Sequence, residues 1–114
     1  MQIWRVENNG QEGCYLGQPT KHILIRHRNS WTHPTPMADS NIKRPPKPLE
    51  ISGFIDKLQA LRWFNDRELD KLRNLGFTLR QVEVVLITAR SWWQILAVRK
   101  PNNVCRGLFD SQRG

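Results

Sequence analysis

GFIDKLQALRWFNDRELDKLRNLGF, residues 53–77, is the most strongly punctuated stretch of the chain. Leu58, Leu61 and Phe64 recur at helical spacing, and after a break Leu69, Leu72 and Leu75 repeat the pattern, so two short helices are predicted in succession, each burying its leucines. The break is Asn65-Asp66-Arg67-Glu68. An Asn there accepts a bond from the free N–H three residues on, and the Glu at that position reaches back, so Asn65 is predicted as the N-cap of the second helix. Gly76 suits the left-handed conformation that closes a helix, and Phe77 then packs back on Leu72. Asp66 and Glu68 in the first turn and Lys71 and Arg73 in the last complement the helix dipole. No catalytic side-chain set falls on this stretch; it reads as a scaffold.

A chain of 114 residues is sufficient for one domain with a single core, here expected to span 1–114 without a metal or disulfide staple. Its 18 Lys and Arg against 10 Asp and Glu give a formal charge of +8, which favours acidic partners: nucleic acid, an anionic membrane, or an acidic protein face. The charge is split. Through residue 48 there are seven basic and three acidic residues, over 49–79 five and five, and from residue 80 onward six and two. The predicted helices are neutral and both flanks are basic. The N-terminal residues lack the apolar run of a signal peptide, and no segment approaches the ~18 apolar residues of a membrane span. A soluble protein without membrane association is therefore expected. Cys14 and Cys105 stand alone, in no ligand spacing, and are read as reduced thiols.

Outward from the helices, residues 2–7 alternate as a strand with one covered face, Asn8-Asn9-Gly10 turns the chain, and Cys14-Tyr15-Leu16 is expected to return as a short partner. Residues 21–28 fit either a buried strand or a turn of helix. Residues 29–48 hold most of the prolines and no periodicity, so a long extended loop is predicted, with Trp31, Met37 and Ile42 docking on the body. A short strand at 49–51 precedes the first helix, capped by Ser52 or Asp56. After the helices, 81–88 is β-branched on both faces and reads as a central strand covered on each side. Residues 89–91 then turn, and 92–99 return as its antiparallel partner. The tail, 104–114, is expected to fray, with Leu108 and Phe109 as a possible anchor. The predicted fold is α+β: a small antiparallel sheet from N- and C-terminal hairpins, packed against the two-helix element, with the Pro-rich loop crossing an edge or the second face.

Candidate chemistry is sparse. His22, His27 and His33 do not fall at metal-ligand spacing, and no Cys or carboxylate cluster completes a set. No Gly-x-Ser-x-Gly elbow is present, and Gly10 and Gly13 are explained by a hairpin turn rather than a phosphate loop. Two clusters mix cations with aromatics. Arg26, His27, Arg28, Trp31 and His33 interleave over eight residues, as in sites that hold phosphate while a ring stacks on a base. Arg90, Trp92, Trp93 and Arg99 lie on the predicted terminal hairpin, where adjacent tryptophans would face opposite ways and leave one at the surface, the composition of an interface hot spot. Arg44-Pro45-Pro46-Lys47-Pro48 has the form of a polyproline ligand but reads more simply as a linker.

Three landmarks in order, Ile3-Trp4-Arg5-Val6-Glu7 with Gly13-Cys14-Tyr15, then His33-Pro34-Thr35-Pro36 with Asp39, then Gly53-Phe54 leading to Trp63-Phe64 and Leu75-Gly76-Phe77, resemble a group of small proteins carried by tailed phages and prophages of enteric and related bacteria, most without assigned function. The resemblance implies an accessory phage product in the cytoplasm of the bacterial host, of the kind that binds a host factor to blunt defence or redirect metabolism. The leading functional expectation is a non-enzymatic protein that binds a host protein or nucleoprotein through Arg26, Arg28, Trp31, His33, Arg90, Trp92, Trp93 and Arg99, with no cofactor or metal. The second is direct nucleic-acid binding, against which the acidic residues Asp66, Glu68 and Asp70 of the second helix weigh. A looser resemblance to ADP-ribosyltransferase-like folds implies a third, an NAD-using enzyme in which Arg5 holds cofactor phosphate and Glu83 orients the ribose hydroxyl.

Overall fold

The alternating N-terminal segment forms strand β1 (Gln2–Glu7), and the computed structural model of the chain describes residues 1–15 and 18–101. There follow a short helix α1 (Gln18–Lys21), a 3-10 turn (Ile25–Arg28), β2 (Glu50–Gly53), α2 (Lys57–Trp63), α3 (Asp66–Asn74), β3 (Thr78–Arg90) and β4 (Ile95–Arg99). The fold is α+β. All strand pairings are antiparallel and the order is β1-β3-β4-β2. β3 is long enough to serve two partners: its first half pairs with β1, from Gln2 opposite Glu83 to Glu7 opposite Thr78, and its second half with β4. Register shifts between Val84 and Leu86 and between Ile87 and Ala89 bend it at the changeover, as bulges do.

That bend curls the sheet until its two edges meet. Trp4 and Phe54 exchange backbone hydrogen bonds of 2.8 Å in each direction, joining β1 to the end of β2. The seam requires a glycine at residue 53: a Cβ there would lie 2.7 Å from both Ile3 Cδ1 and the Trp4 carbonyl oxygen. Inside the curl Ile3, Val82, Val84, Ile95 and Ala97 pack together, with Ile51, Ile55 and Ile87 at the margin. A second core lies between the seam and the helices, formed by Val6, Cys14, Leu24, Phe54, Ala60, Trp63, Phe64, Leu72 and Phe77. Ile3 and Val6 thus point to opposite faces of β1 and both are buried.

The helical pair closes as its sequence dictates. Asp56 caps α2 by accepting from the Gln59 N–H at 2.7 Å. Asn65 caps α3 in a reciprocal box, with Asn65 Oδ1 accepting from the Glu68 N–H at 2.8 Å and Glu68 Oε1 from the Asn65 N–H at 2.9 Å. At its far end Gly76 has φ +90°, and the Gly76 and Phe77 N–H groups return to the Arg73 and Leu72 carbonyls at 3.0 Å, the Schellman arrangement. Leu72 is fully buried, worth ~1.5–3 kcal/mol.

Several expectations are corrected. The return of the N-terminal hairpin is reduced to one bridge, Glu7 with Gly13; β1 finds its ladder on β3, and Leu16 lies outside the described residues. Of the two readings open for residues 21–28, helical turn is the one that forms. The terminal turn is Ser91–Gln94, so Trp92 and Trp93 sit in the turn and not on β4. Val85 and Leu86 are half exposed, so β3 is not covered on both faces throughout. Most consequentially, α2 buries Gln59, Ala60 and Trp63 and leaves Leu58 and Leu61 exposed. In the Pro-rich loop His33, Pro34 and Asp39 are the buried anchors, whereas Trp31 and Met37 are exposed. Cys14 is a free buried thiol, pushed up to about 12 by burial; Cys105 and the tail anchor Leu108 and Phe109 lie outside the described residues. Among the described residues no helix is long and apolar enough to cross a membrane.

Candidate functional site

The two basic, tryptophan-bearing segments both dock on α2. Its last carbonyl, that of Trp63, would be an orphan of the helix end; it accepts from His33 Nε2 at 2.7 Å and from Arg26 Nη2 at 3.1 Å. The first segment is thereby pinned to the helix C terminus. The second is held by Gln59, whose side-chain amide donates to the Ser91 and Trp92 carbonyls at 3.0 and 2.9 Å. Asp39 ties the loop to the same turn, its Oδ2 accepting from Ser91 Oγ and, at 3.2 Å, from Gln94 Nε2. With its backbone fixed, Trp92 lies under Arg62, the guanidinium carbon 4.1 Å from the ring centroid.

Beneath this surface a chain of hydrogen bonds runs through the helix junction. Trp63 Nε1 only donates, so Tyr15 Oη accepts at 2.6 Å and spends its own proton on His27 Nδ1, also at 2.6 Å. His27 therefore carries its proton on Nε2 and donates to Glu68 Oε1 at 3.1 Å. Arg26 adds two bonds to Glu68, at 2.8 and 3.3 Å. Burial lowers His27 to about 4, against the opposing pull of Glu68, and lowers His33, whose ring stacks on His27 at 4.1 Å. Desolvation of its hydroxyl raises Tyr15 as well, although the residue as a whole is 54% exposed. Burial alone would raise Glu68; the bonds from Arg26, Asn65 and His27 hold its carboxyl below the ordinary range. The Tyr-His-Glu order has the topology of a nucleophile relay, but a histidine that protonates near 4 is a weak base and a tyrosine pushed upward a reluctant nucleophile at neutral pH. The chain joins α3 to the 3-10 turn and, through Trp63, to α2.

A second charged group sits at the end of the curl. Glu7, almost fully buried, accepts from Arg5 Nε at 3.0 Å and from Arg99 Nη2, and Arg5 Nη1 donates to the Ser52 carbonyl at 2.7 Å. Burial lowers Arg5 from the ordinary arginine value by more than Glu7 raises it. Beside Arg5 a cavity of about 240 Å³ is lined by Gly13, Tyr15, Phe54, Trp63, Phe64 and Gln94, among others.

The residues singled out from sequence divide accordingly. Trp31, 87% exposed, and Trp92, 60% exposed, face solvent, as do Arg28 and Arg90. His33 and Arg99 are engaged inside the molecule, Arg26 is exposed but bonded to Glu68 and the Trp63 carbonyl, and Trp93 packs against the second core. Arg5 and Glu83 are not brought together. Glu83 pairs with Gln2 in the ladder, three residues from Arg5 along β1, so their side chains leave opposite faces, and Glu83 meets the amino-terminal nitrogen of Met1 at 3.1 Å. Leu58, 61% exposed, Leu61, 41% exposed, and Arg62 are exposed on α2, and of these Arg62 lies against Trp92. Sequence reasoning missed these three because it placed the leucines in the core. Among the described residues no group of three or more His, Cys, Asp or Glu is arranged to hold a metal ion.

Compared with known proteins, residues 1–92 match the family described as bacteriophage T4 Y00F protein. No curated protein and no solved structure matches the chain.

Proposed function

The chain belongs to the bacteriophage T4 Y00F protein family, and from that premise we propose that it is a non-enzymatic accessory protein that binds and modulates a host protein or nucleoprotein, as an inhibitor of host defence would. The observation that carries the reading is the outer side of α2: a helix inside a small domain leaves Leu58 and Leu61 exposed, and Arg62 of the same helix carries the exposed Trp92 against it. Exposed apolar residues grouped on one element mark interaction surfaces, and Trp with Arg is the composition of a hot spot. Trp31 with Arg28, on a loop pinned through His33, supplies a second exposed contact. The formal +8 favours an acidic partner and speeds encounter.

The test is capture from host lysate, with and without nuclease, by tagged wild-type chain and by Trp92→Ala. A discrete host protein retained by the first and lost by the second, with unchanged thermal unfolding, is expected. Recovery of nucleic acid alone would replace this reading with direct nucleic-acid binding, which also requires affinity to fall steeply with salt.

A further inference from the structure

We propose that the cavity beside the Trp4–Phe54 seam is a binding site for a small aromatic carboxylate. Charge is the first argument. Arg5 and Arg99 share one buried carboxylate, Glu7, and Arg5 is the cation that lines the cavity. Arg5 commits Nε to Glu7 and Nη1 to the Ser52 carbonyl. Nη2 has no protein acceptor among the described residues, and no buried side-chain nitrogen there is closed off without a partner, so its N–H groups stay open to an incoming acceptor. The Nη1 and Nη2 end of a guanidinium matches the two oxygens of a carboxylate.

Shape is the second. Gly13 stands where a Cβ would come within 2.9 Å of Arg5 Nη2, so the missing side chain leaves the guanidinium uncrowded on that side. The rings of Tyr15, Phe54, Trp63 and Phe64 supply the apolar wall. At about 240 Å³ the cavity falls below the ~300–1,000 Å³ typical of drug-sized ligands, which selects a single ring bearing its acid group over a nucleotide. Leu58, Leu61, Arg62 and Trp92 are not in its lining, so this site stands or falls apart from the docking surface.

The experiment is an NMR titration of the full chain with benzoate, benzamide and acetate, read on the Arg5 side-chain N–H and the Trp63 indole N–H. Benzoate should shift both signals saturably, with benzamide and acetate each binding about tenfold or more weakly, as expected for loss of a charge-assisted pair or of the ring. A tetrapeptide ending in phenylalanine, compared with its C-terminal amide, identifies the source: tighter binding than benzoate assigns a chain terminus, and no binding beside bound benzoate assigns a free acid. Gly13→Ala, which crowds Nη2, should weaken benzoate with the amide spectrum otherwise retained, whereas Trp92→Ala should leave it unchanged. Equal binding of benzoate and benzamide, or no shift at Arg5 with benzoate in millimolar excess, overturns the proposal without touching the reading of the α2 surface.

Discussion

Replacing Glu68 by alanine removes the acceptor of four N–H groups at once: those of the Asn65 backbone, Arg26 Nε and Nη2, and His27 Nε2. The Glu arm of the capping box contributes ~0.5–1 kcal/mol. Arg26 is 45% exposed, so solvent screens its ion pair to ~0.5–1 kcal/mol. His27 is in contrast largely enclosed, and an N–H left there without an acceptor costs ~1–2 kcal/mol. The loss for Glu68→Ala is thus about 2–4 kcal/mol, a large part of the stability of a domain this size. Glu68→Gln can keep its carbonyl oxygen where Oε1 accepts from Asn65, Arg26 Nη2 and His27 and turns an NH2 toward Arg26 Nε alone, so it should recover more than half of that loss while still losing the charge and one bond. Urea unfolding at pH 7, followed by circular dichroism, measures both. A loss below ~1 kcal/mol for alanine, or a glutamine variant as stable as wild type, would refute the reading of Glu68 as the junction between α3 and the 3-10 turn.

Other outcomes follow from the same geometry. His27 is held down to about 4, so between its ordinary value of ~6.5 and 4 the unfolded chain binds more protons than the folded one, and stability should fall with pH across that window by up to ~1.4 kcal/mol per unit. His27→Gln should flatten the slope of unfolding free energy against pH, and an unaltered slope would discount the group. Gly53→Ala drives a Cβ to 2.7 Å from Ile3 Cδ1 and the Trp4 carbonyl and should cost ~2–4 kcal/mol, with loss of hydrogen-exchange protection at the Trp4 and Phe54 amides. Trp92→Ala removes a solvent-facing stack on Arg62 worth only ~0.5–1 kcal/mol, so its thermal midpoint should stay close to wild type. A large drop would recast Trp92 as a structural residue.

The features legible in sequence were those that short-range chemistry decides. Asn65, Glu68 and Gly76 act within a few residues of themselves, and the capping box and Schellman closure of α3 form where the residues announce them. The misreadings arise where distant partners choose. On α2, Leu58 and Leu61 have the same helical spacing as Ala60 and Trp63, so periodicity alone cannot say which row faces in; the second core takes Ala60 and Trp63. The terminal turn shifts toward residue 94 because Ser91 and Gln94 bind Asp39, more than fifty residues away. β1 pairs with β3 and not with its own return because Val6 and Leu79 stand opposite each other and both reach the second core. His33 reads in sequence as a partner contact; in the fold its ring nitrogen is spent on the Trp63 carbonyl, thirty residues away. Tyr15, the middle of the hydrogen-bond chain, gave no chemical signal beyond its place in a predicted strand and in the Gly13-Cys14-Tyr15 landmark.

The outer side of α2 as a protein-docking face is tested most directly by placing a photo-crosslinking amino acid at Leu61 in chain expressed inside the bacterial host, with Gln81, on β3 outside the proposed face, as the matched control position. Irradiation should give one discrete, nuclease-resistant adduct with a host protein from position 61 and none from position 81. The same adducts from both positions, or a product at 61 that nuclease removes, would contradict it.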